Sequence, residues 1–271
     1  MVETYKISTI HDIVDIATSL PKSWFRGHYE VIGELIPKIF RKDYTERDYD
    51  VEKNLTLKFK LNAPSLRPNL PKSDDYLSWL FLMQHHGLPT RLLDWSESPL
   101  IALFFSVKEK RSCDGELWAM CPYLLNNCYG TPRISTADHK TTKFLAAEPF
   151  LTPTNEEMET IRYPIAIKPA MSFPRMVSQL SAFTIHPKPY PECTITELLG
   201  ENEKALVRYI IPGDLKDELL LDLESLGITE YSLFQDLDSL SMTLERETIF
   251  DADNIPSPPR CGGDYIEINR D

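Results

Sequence analysis

MQHHGLPTRLLDWSESPLIALFFSV, residues 83–107, sets two histidines, an arginine, an aspartate and a tryptophan between two apolar runs. A polar group taken from water without a partner costs roughly 1–3 kcal/mol. Such a stretch is therefore expected to be a hydrogen-bonded network or a site. Upstream of it, Tyr76, Leu77, Leu80 and Met83 recur at helical spacing, which predicts a helix from about Asp74 to His86 with Ser73 or Asp74 as its cap and Gly87 as its stop. His85 and His86 end that helix, where the dipole favours a protonated imidazole. Adjacent helical residues point in different directions, so at most one of the two faces a site. Gly87 to Thr90 reads as a turn and Arg91 to Trp95 as a descent. Ser98 as cap and Pro99 at the first helical position then open a buried helix through Val107. The stretch is thus read as a helix–turn–helix support, with Arg91 and Asp94 close enough to pair through the turn. That pair either orders the loop or belongs to the site.

The whole chain bounds what this support can serve. At 271 residues and 42% hydrophobic, it can bury a sizeable core. Its longest apolar run, Pro99 to Val107, is far short of the roughly 20 residues that span a bilayer. The N-terminus lacks a basic start and an apolar segment, so a cytoplasmic protein is expected. A net charge of −12 argues against a broad nucleic-acid surface, though not against a local basic cleft. Cys113, Cys121, Cys128, Cys193 and Cys261 contain no C-x-x-C pair, so they are read as reduced thiols and no metal site is expected.

Outward from the support, Thr9 to Leu20 predicts an amphipathic helix ended by Pro21. Trp24-Phe25-Arg26-Gly27 predicts a short strand. Arg26 is either a surface residue whose stem covers an aromatic neighbour or a fork that holds phosphate or carboxylate, with Gly27 letting a ligand approach the backbone. Residues 54–62 lean towards a helix, and Pro64, Pro68 and Pro71 stiffen the connection to the next one. Strands are expected at Gly115–Met120, Tyr163–Ile167 and Lys204–Ile211, a loop or flap at Asn126–Thr142, and helices at Asp214–Leu226 and within Ile228–Leu244. Arg175 and Gln179 lie among apolar neighbours and must find partners. This order of elements predicts an α+β fold, a mixed and mainly antiparallel sheet flanked by helices, over residues 1–244. Residues 245–271 turn to Pro, Gly and charge and read as a strap or flexible tail.

Several of these segments together resemble the FRG domain: Trp24-Phe25-Arg26-Gly27, Leu35-Ile36-Pro37 with Arg41, the run Gln84 to Trp95, Ala102 to Phe105, Gln179 with Phe183-Thr184, and Gly227-Ile228 before Leu233-Phe234-Gln235-Asp236-Leu237. The resemblance spans roughly residues 20–240, and the long central run is its specific part. Gln235 stands where that family usually shows proline. Members occur in bacteria and their viruses, often in settings of defence or toxicity. A weaker resemblance, an aromatic-Arg-Gly strand leading a mixed α/β domain, is to arginine-type ADP-ribosyltransferases, and it implies their fold and a role for Arg26 on the phosphates or ribose of NAD. The chain departs from that second pattern: it has no Ser-Thr-Ser strand and no convincing Glu-x-Glu or Gln-x-Glu motif. Asp94 or Glu30 would have to supply the carboxylate, because the amide of Gln179 cannot.

These residues support three readings. The first is an enzyme using a nucleotide, with NAD as ligand. Arg26, Gly27, Thr90 and Arg91 would bind it, and His85, Asp94 and Gln179 would carry acid–base, orienting and substrate-binding roles, as an ADP-ribosyltransferase or NAD glycohydrolase acting on a protein target or on the nucleotide itself. The second is a non-catalytic sensor of a nucleotide or protein. The third is a metal-independent hydrolase built on His85 and Asp94.

Overall fold

The computed structural model describes residues 2–41, 44, 50–150, 163–187 and 194–254. Eight strands, β1 (Thr4–Lys6), β2 (Trp24–His28), β3 (Leu92–Ser96), β4 (Gly115–Met120), β5 (Ser135–Thr136), β6 (Ile165–Lys168), β7 (Ser181–Ile185) and β8 (Leu206–Ile211), form one open sheet in the order β1-β8-β4-β2-β3-β7-β6-β5. The five inner pairings are antiparallel and the two outermost, β1 with β8 and β5 with β6, are parallel. The fold is α+β, mixed and mostly antiparallel, as the element order predicts.

The helices are α1 (Ile10–Ser19), α2 (Val51–Asn62), α3 (Tyr76–His85), α4 (Pro99–Val107), α5 (Pro122–Asn127), α6 (Lys140–Ala147), α7 (Pro174–Ser178), α8 (Ile195–Leu199), α9 (Lys216–Ser225), α10 (Glu230–Phe234) and α11 (Leu237–Asn254). Two groups of them cover one face of the sheet. Ile13 and Ile16 of α1, Ile101 to Val107 of α4 and Leu219, Leu220 and Leu223 of α9 pack on Phe25, Leu117, Val207 and Ile211. Beside them, Leu77, Leu80 and Phe81 of α3, Leu145 of α6 and Met176 pack on Leu92, Ile165, Phe183 and Ile185. The opposite face carries Trp24, Leu93, Trp95, Trp118 and Met120 under α5 and α8. The two halves of the sheet meet at β2 and β3, which share one register pair, Phe25 with Ser96, before they diverge. Beyond that pair a side chain can pass between the strands.

The local signals explain most of the elements. Thr9 with Asp12 forms a capping box on α1, the Ser98 hydroxyl accepts from the Ile101 amide, and Gly87 at φ +76 ends the helix before it. Helix α3 starts later than expected, with Asp75 as its cap, accepting from the Ser78 amide at 3.1 Å. Gln235 closes α10 at φ +55, a conformation that proline's ring forbids, so glutamine rather than proline suits this chain. Helix α11 continues through Asn254, past the change of composition at Glu245, and residues 255–271 lie outside the described residues.

Two expectations need correction. Residues 92–96 are not a descent between helices but a central strand, so the support is helix–strand–helix. Along an extended chain Arg91 and Asp94 fall on opposite faces, and they do not pair. Residues 126–142, expected as a loop or flap, include the end of α5, strand β5 and the start of α6. Asn126 is buried, donates to the Ala166 carbonyl at 2.9 Å and accepts from the Ala166 amide at 2.8 Å, standing in for a strand beside β6. Among the described residues, no helix is long and apolar enough to cross a membrane.

Candidate active site

Arg26 projects from β2 at the point where β2 and β3 part. Its guanidinium donates to the Asp94 carbonyl at 2.7 Å and lies 3.8 Å from the Asp94 carboxylate. Asp94 is central in β3, and its carboxylate accepts from the Gln84 amide at 2.6 Å. Gln84 is fixed in turn by the Thr90 hydroxyl, which donates to its carbonyl oxygen at 2.5 Å and accepts from the Leu92 amide at 3.1 Å. The chain of contacts therefore runs from the fully buried Thr90 through Gln84 and Asp94 to Arg26. The Asp94 side chain is 55% exposed and that of Arg26 18%. Burial lowers the Arg26 pKa, with Asp94 opposing, but a guanidinium stays charged under any ordinary condition.

Above this chain lies a cavity of about 280 Å³ in the groove between the two groups of helices. Its apolar walls include Phe25, Phe81, Phe105 and Phe183, and its polar groups include Arg26, Gln84, His85, Asp94, Arg175 and Gln179. Arg175 is depressed by burial, with the Asp94 carboxylate as the opposing influence, and its guanidinium stacks over Phe234 at 4.3 Å. Lys108 lies over the same ring at 5.0 Å. A second cavity of about 250 Å³ shares Arg26, Gln84 and Asp94 with the first and adds Lys38 and Arg41.

The expected site residues are distributed unequally over this geometry. Arg26, Gly27, His85, Asp94 and Gln179 all line the first cavity. His85 stacks on Phe173 at 5.0 Å and 8°, while His86 is exposed, so one of the two histidines faces the site. Burial, then the neighbouring His86 and Arg175, lower the His85 pKa, so its imidazole is neutral rather than protonated by the helix dipole. Gln179 donates its amide to the Leu233 carbonyl at 3.3 Å, an anchor for α10. Glu30, the other candidate acid, pairs with Lys110 away from both cavities.

Three assignments change. A Cβ on Gly27 would stand 1.7 Å from the Ala102 carbonyl oxygen, so its missing side chain admits helix α4 rather than a ligand. Thr90 is buried and lines neither cavity; it positions Gln84. Arg91 lines neither cavity. It is fully buried, with Nε and Nη2 on the two oxygens of Glu52 at 2.8 and 2.7 Å and Nη1 on Glu148 and the Leu145 carbonyl. Burial alone would lower its pKa, but Glu52 and Glu148 outweigh that and hold it above the ordinary arginine value.

Gln84, Lys108 and Arg175 join the site without having been expected there. Gln84 had one usable signal: it opens the polar run directly after the apolar face of α3. Arg175 had another, a charge among apolar neighbours that must find a partner; Lys108 had none, because its place depends on Phe234 of α10, over which it lies. Among the described residues, no group of three His, Cys, Asp or Glu side chains could hold a metal ion. Cys113, Cys121 and Cys128 are free thiols, and Cys193 and Cys261 lie outside the described residues.

No curated protein and no solved structure matches the chain. One family model does match, the FRG domain, over residues 21–115. That interval runs from just before β2 to the start of β4, and so contains Arg26, Gln84, Asp94 and Lys108 but not Arg175 or Gln179. Residues 21–115 of this chain are an FRG domain, and its cavity is completed by side chains from beyond them.

Proposed function

We propose that the cavity at Arg26 binds an anionic nucleotide-type ligand, NAD in the first instance, and that the chain acts on it as an ADP-ribosyltransferase or NAD glycohydrolase. One observation carries this reading. In a chain of net charge −12, the cavity is lined by Arg26, Lys108 and Arg175 against a single carboxylate, Asp94, with aromatic rings beside them. Guanidinium forks hold phosphate oxygens bidentately, and the rings suit a flat heterocycle. The volume, about 280 Å³, lies just below the roughly 300–1,000 Å³ typical of small-molecule sites.

In this reading Arg26 holds a phosphate. Asp94, oriented by Gln84, stabilises the positive charge that develops on the ribose as the bond to nicotinamide breaks. Water or a nucleophile on a protein target then takes the ribosyl carbon. Neutral His85 offers a hydrogen-bond acceptor beside it. A hydrolase dyad is disfavoured, since the Asp94 carboxylate is held by Gln84 and makes no hydrogen bond to His85. The sensor reading rests on the same network: with both Arg26 and Gln84 on Asp94, the carboxylate is already engaged.

Purified protein incubated with NAD and bacterial lysate separates the alternatives. Nicotinamide release that Asp94→Asn abolishes supports catalysis. A raised melting temperature without release supports the sensor. Neither release nor a thermal shift would sink the NAD reading.

A further inference from the structure

We propose that Phe234 of α10, which lines neither cavity, is the positioning residue of the first one: it holds the Arg175 guanidinium at the cavity wall with its donors uncommitted, so that Arg175 takes a phosphate of the ligand alongside Arg26. The proposal rests on the anionic-ligand reading of that cavity and deepens it. Binding then depends on a helix far outside residues 21–115.

The three cations of the first cavity differ in what already holds them. Arg26 gives one N–H to the Asp94 carbonyl at 2.7 Å. Lys108 is matched by Glu109 at 3.4 Å and by Glu230 at 3.8 Å. The Arg175 guanidinium makes no hydrogen bond and no ion pair among the described residues, and Asp94, Asp236 and Glu230 act on it only from farther away. What it does touch is a ring, with its central carbon 4.3 Å from the centre of Phe234. Contact with a ring face uses the charge of a guanidinium but none of its five N–H groups. They remain as a fork that matches two phosphate oxygens.

The ring is itself fixed. Phe234 meets Phe105 of α4 edge to face at 6.0 Å and 76°, and the Lys108 ammonium lies 5.0 Å from its centre. Next to it Leu233 is buried, and the Leu233 carbonyl accepts from the Ser178 hydroxyl at 2.7 Å and the Gln179 amide at 3.3 Å. Both donors follow directly on Arg175, so α7 and α10 are joined by these bonds as well as by the ring. Thr229 caps α10 on the Ser232 amide at 3.1 Å, and Tyr231 donates its amide to the Thr243 hydroxyl of α11 at 3.1 Å. An arginine held this way has given up its side-chain freedom before a ligand arrives, and such preorganisation raises affinity.

The test is a double-mutant cycle read by calorimetric titration with NAD and, separately, with inorganic pyrophosphate. Arg175→Gln should weaken binding roughly tenfold or more, and Phe234→Leu roughly three- to tenfold. The double variant should bind no more weakly than Arg175→Gln alone, and Phe234→Tyr, which keeps the ring, should recover most of the loss. If the two losses simply multiply, Phe234 does not act through Arg175 and the positioning role is overturned. NAD binding that Arg175→Gln changes by less than about twofold overturns the proposal and leaves the NAD reading standing. Pyrophosphate binding with the expected pattern, but no binding of NAD, sinks NAD as the ligand and upholds the proposal. Binding of neither probe overturns both. Should Phe234→Leu unfold the protein, pentafluorophenylalanine at position 234 keeps the shape while removing the ring's attraction for a cation. The same three- to tenfold loss is then expected, and unchanged affinity overturns the proposal.

Discussion

Arg26 and Arg91 flank the same strand, β3, and each sits beside a carboxylate, yet one guanidinium reaches a cavity and the other is sealed in the core. Arg91 is matched by two glutamates and two backbone carbonyls, Leu145 and His186, and links α2, β3 and the end of α6. Arg26 shares one aspartate with Gln84 and keeps contact with two cavities. The difference teaches where charge serves stability and where it serves binding. A buried ion whose hydrogen bonds are all met within the protein has nothing to offer a ligand, whereas a half-matched one at a seam does.

The largest effect expected from this contrast is at Arg91. Arg91→Met leaves Glu52 buried without its cation and should cost roughly 3–5 kcal/mol in urea unfolding. Adding Glu52→Leu should recover part of the loss. If the single variant unfolds within about 1 kcal/mol of the unaltered chain, the cluster is not structural and the contrast fails.

At Arg26 the expected signature is the reverse. Arg26→Ala should change folding by about 1 kcal/mol or less, because its ion pair is partly exposed, and should remove ligand stabilisation equivalent to roughly 1.5–3 kcal/mol. Unfolding instead would make Arg26 as structural as Arg91.

The pH dependence sharpens the buried side. His186 lies behind Arg91, 1% exposed, and its Nε2 is 3.0 Å from the Thr184 hydroxyl, which accepts from the Trp95 indole. Burial first, then Arg91 and Arg26, push its pKa down to about 3. The unfolded chain takes up that proton near pH 6.5 and the folded one does not until about 3, so between these values the unfolded state binds more protons. Stability is therefore complete above pH 6.5 and falls with pH, by about 1.4 kcal/mol per unit, or about 2 kcal/mol by pH 5. His186→Gln should flatten that part of the acid unfolding curve; an unchanged slope would show that the carboxylates alone set it.

The smallest effect is expected at the hinge between the two regions. Thr90→Val removes the hydroxyl that holds Gln84 and should cost about 1–2 kcal/mol of stability. Because Gln84 then orients Asp94 less well, ligand affinity should fall by up to about tenfold. A variant of normal stability and affinity would mean that Gln84 is held without Thr90.

How much of the fold and the site was legible depended on the range of the interaction. Helix α1 with Thr9 and Pro21, helix α4 with Ser98 and Pro99, and the Gly87 stop could be read because caps and breakers act within one turn. The alternation of Leu92, Asp94 and Ser96 against Leu93 and Trp95 was also present, but the neighbouring helices and the turn residues 87–90 masked a five-residue strand. Once that period is missed, Arg91 and Asp94 look like a pair. Glu52 and Glu148, 39 and 57 positions from Arg91, left no local trace at all.

By itself the sequence determined the α+β class, the caps and breakers of helices α1 and α4, and the resemblance centred on residues 84–95, all properties of short-range periodicity and residue type. Only the tertiary structure decided which arginine lines the cavity and which braces the core. That choice depends on strand parity, on the single register pair joining β2 to β3, and on which distant carboxylates the fold delivers to each guanidinium. Charge is written in the residue, but whether the charge is satisfied is settled by its neighbours in space.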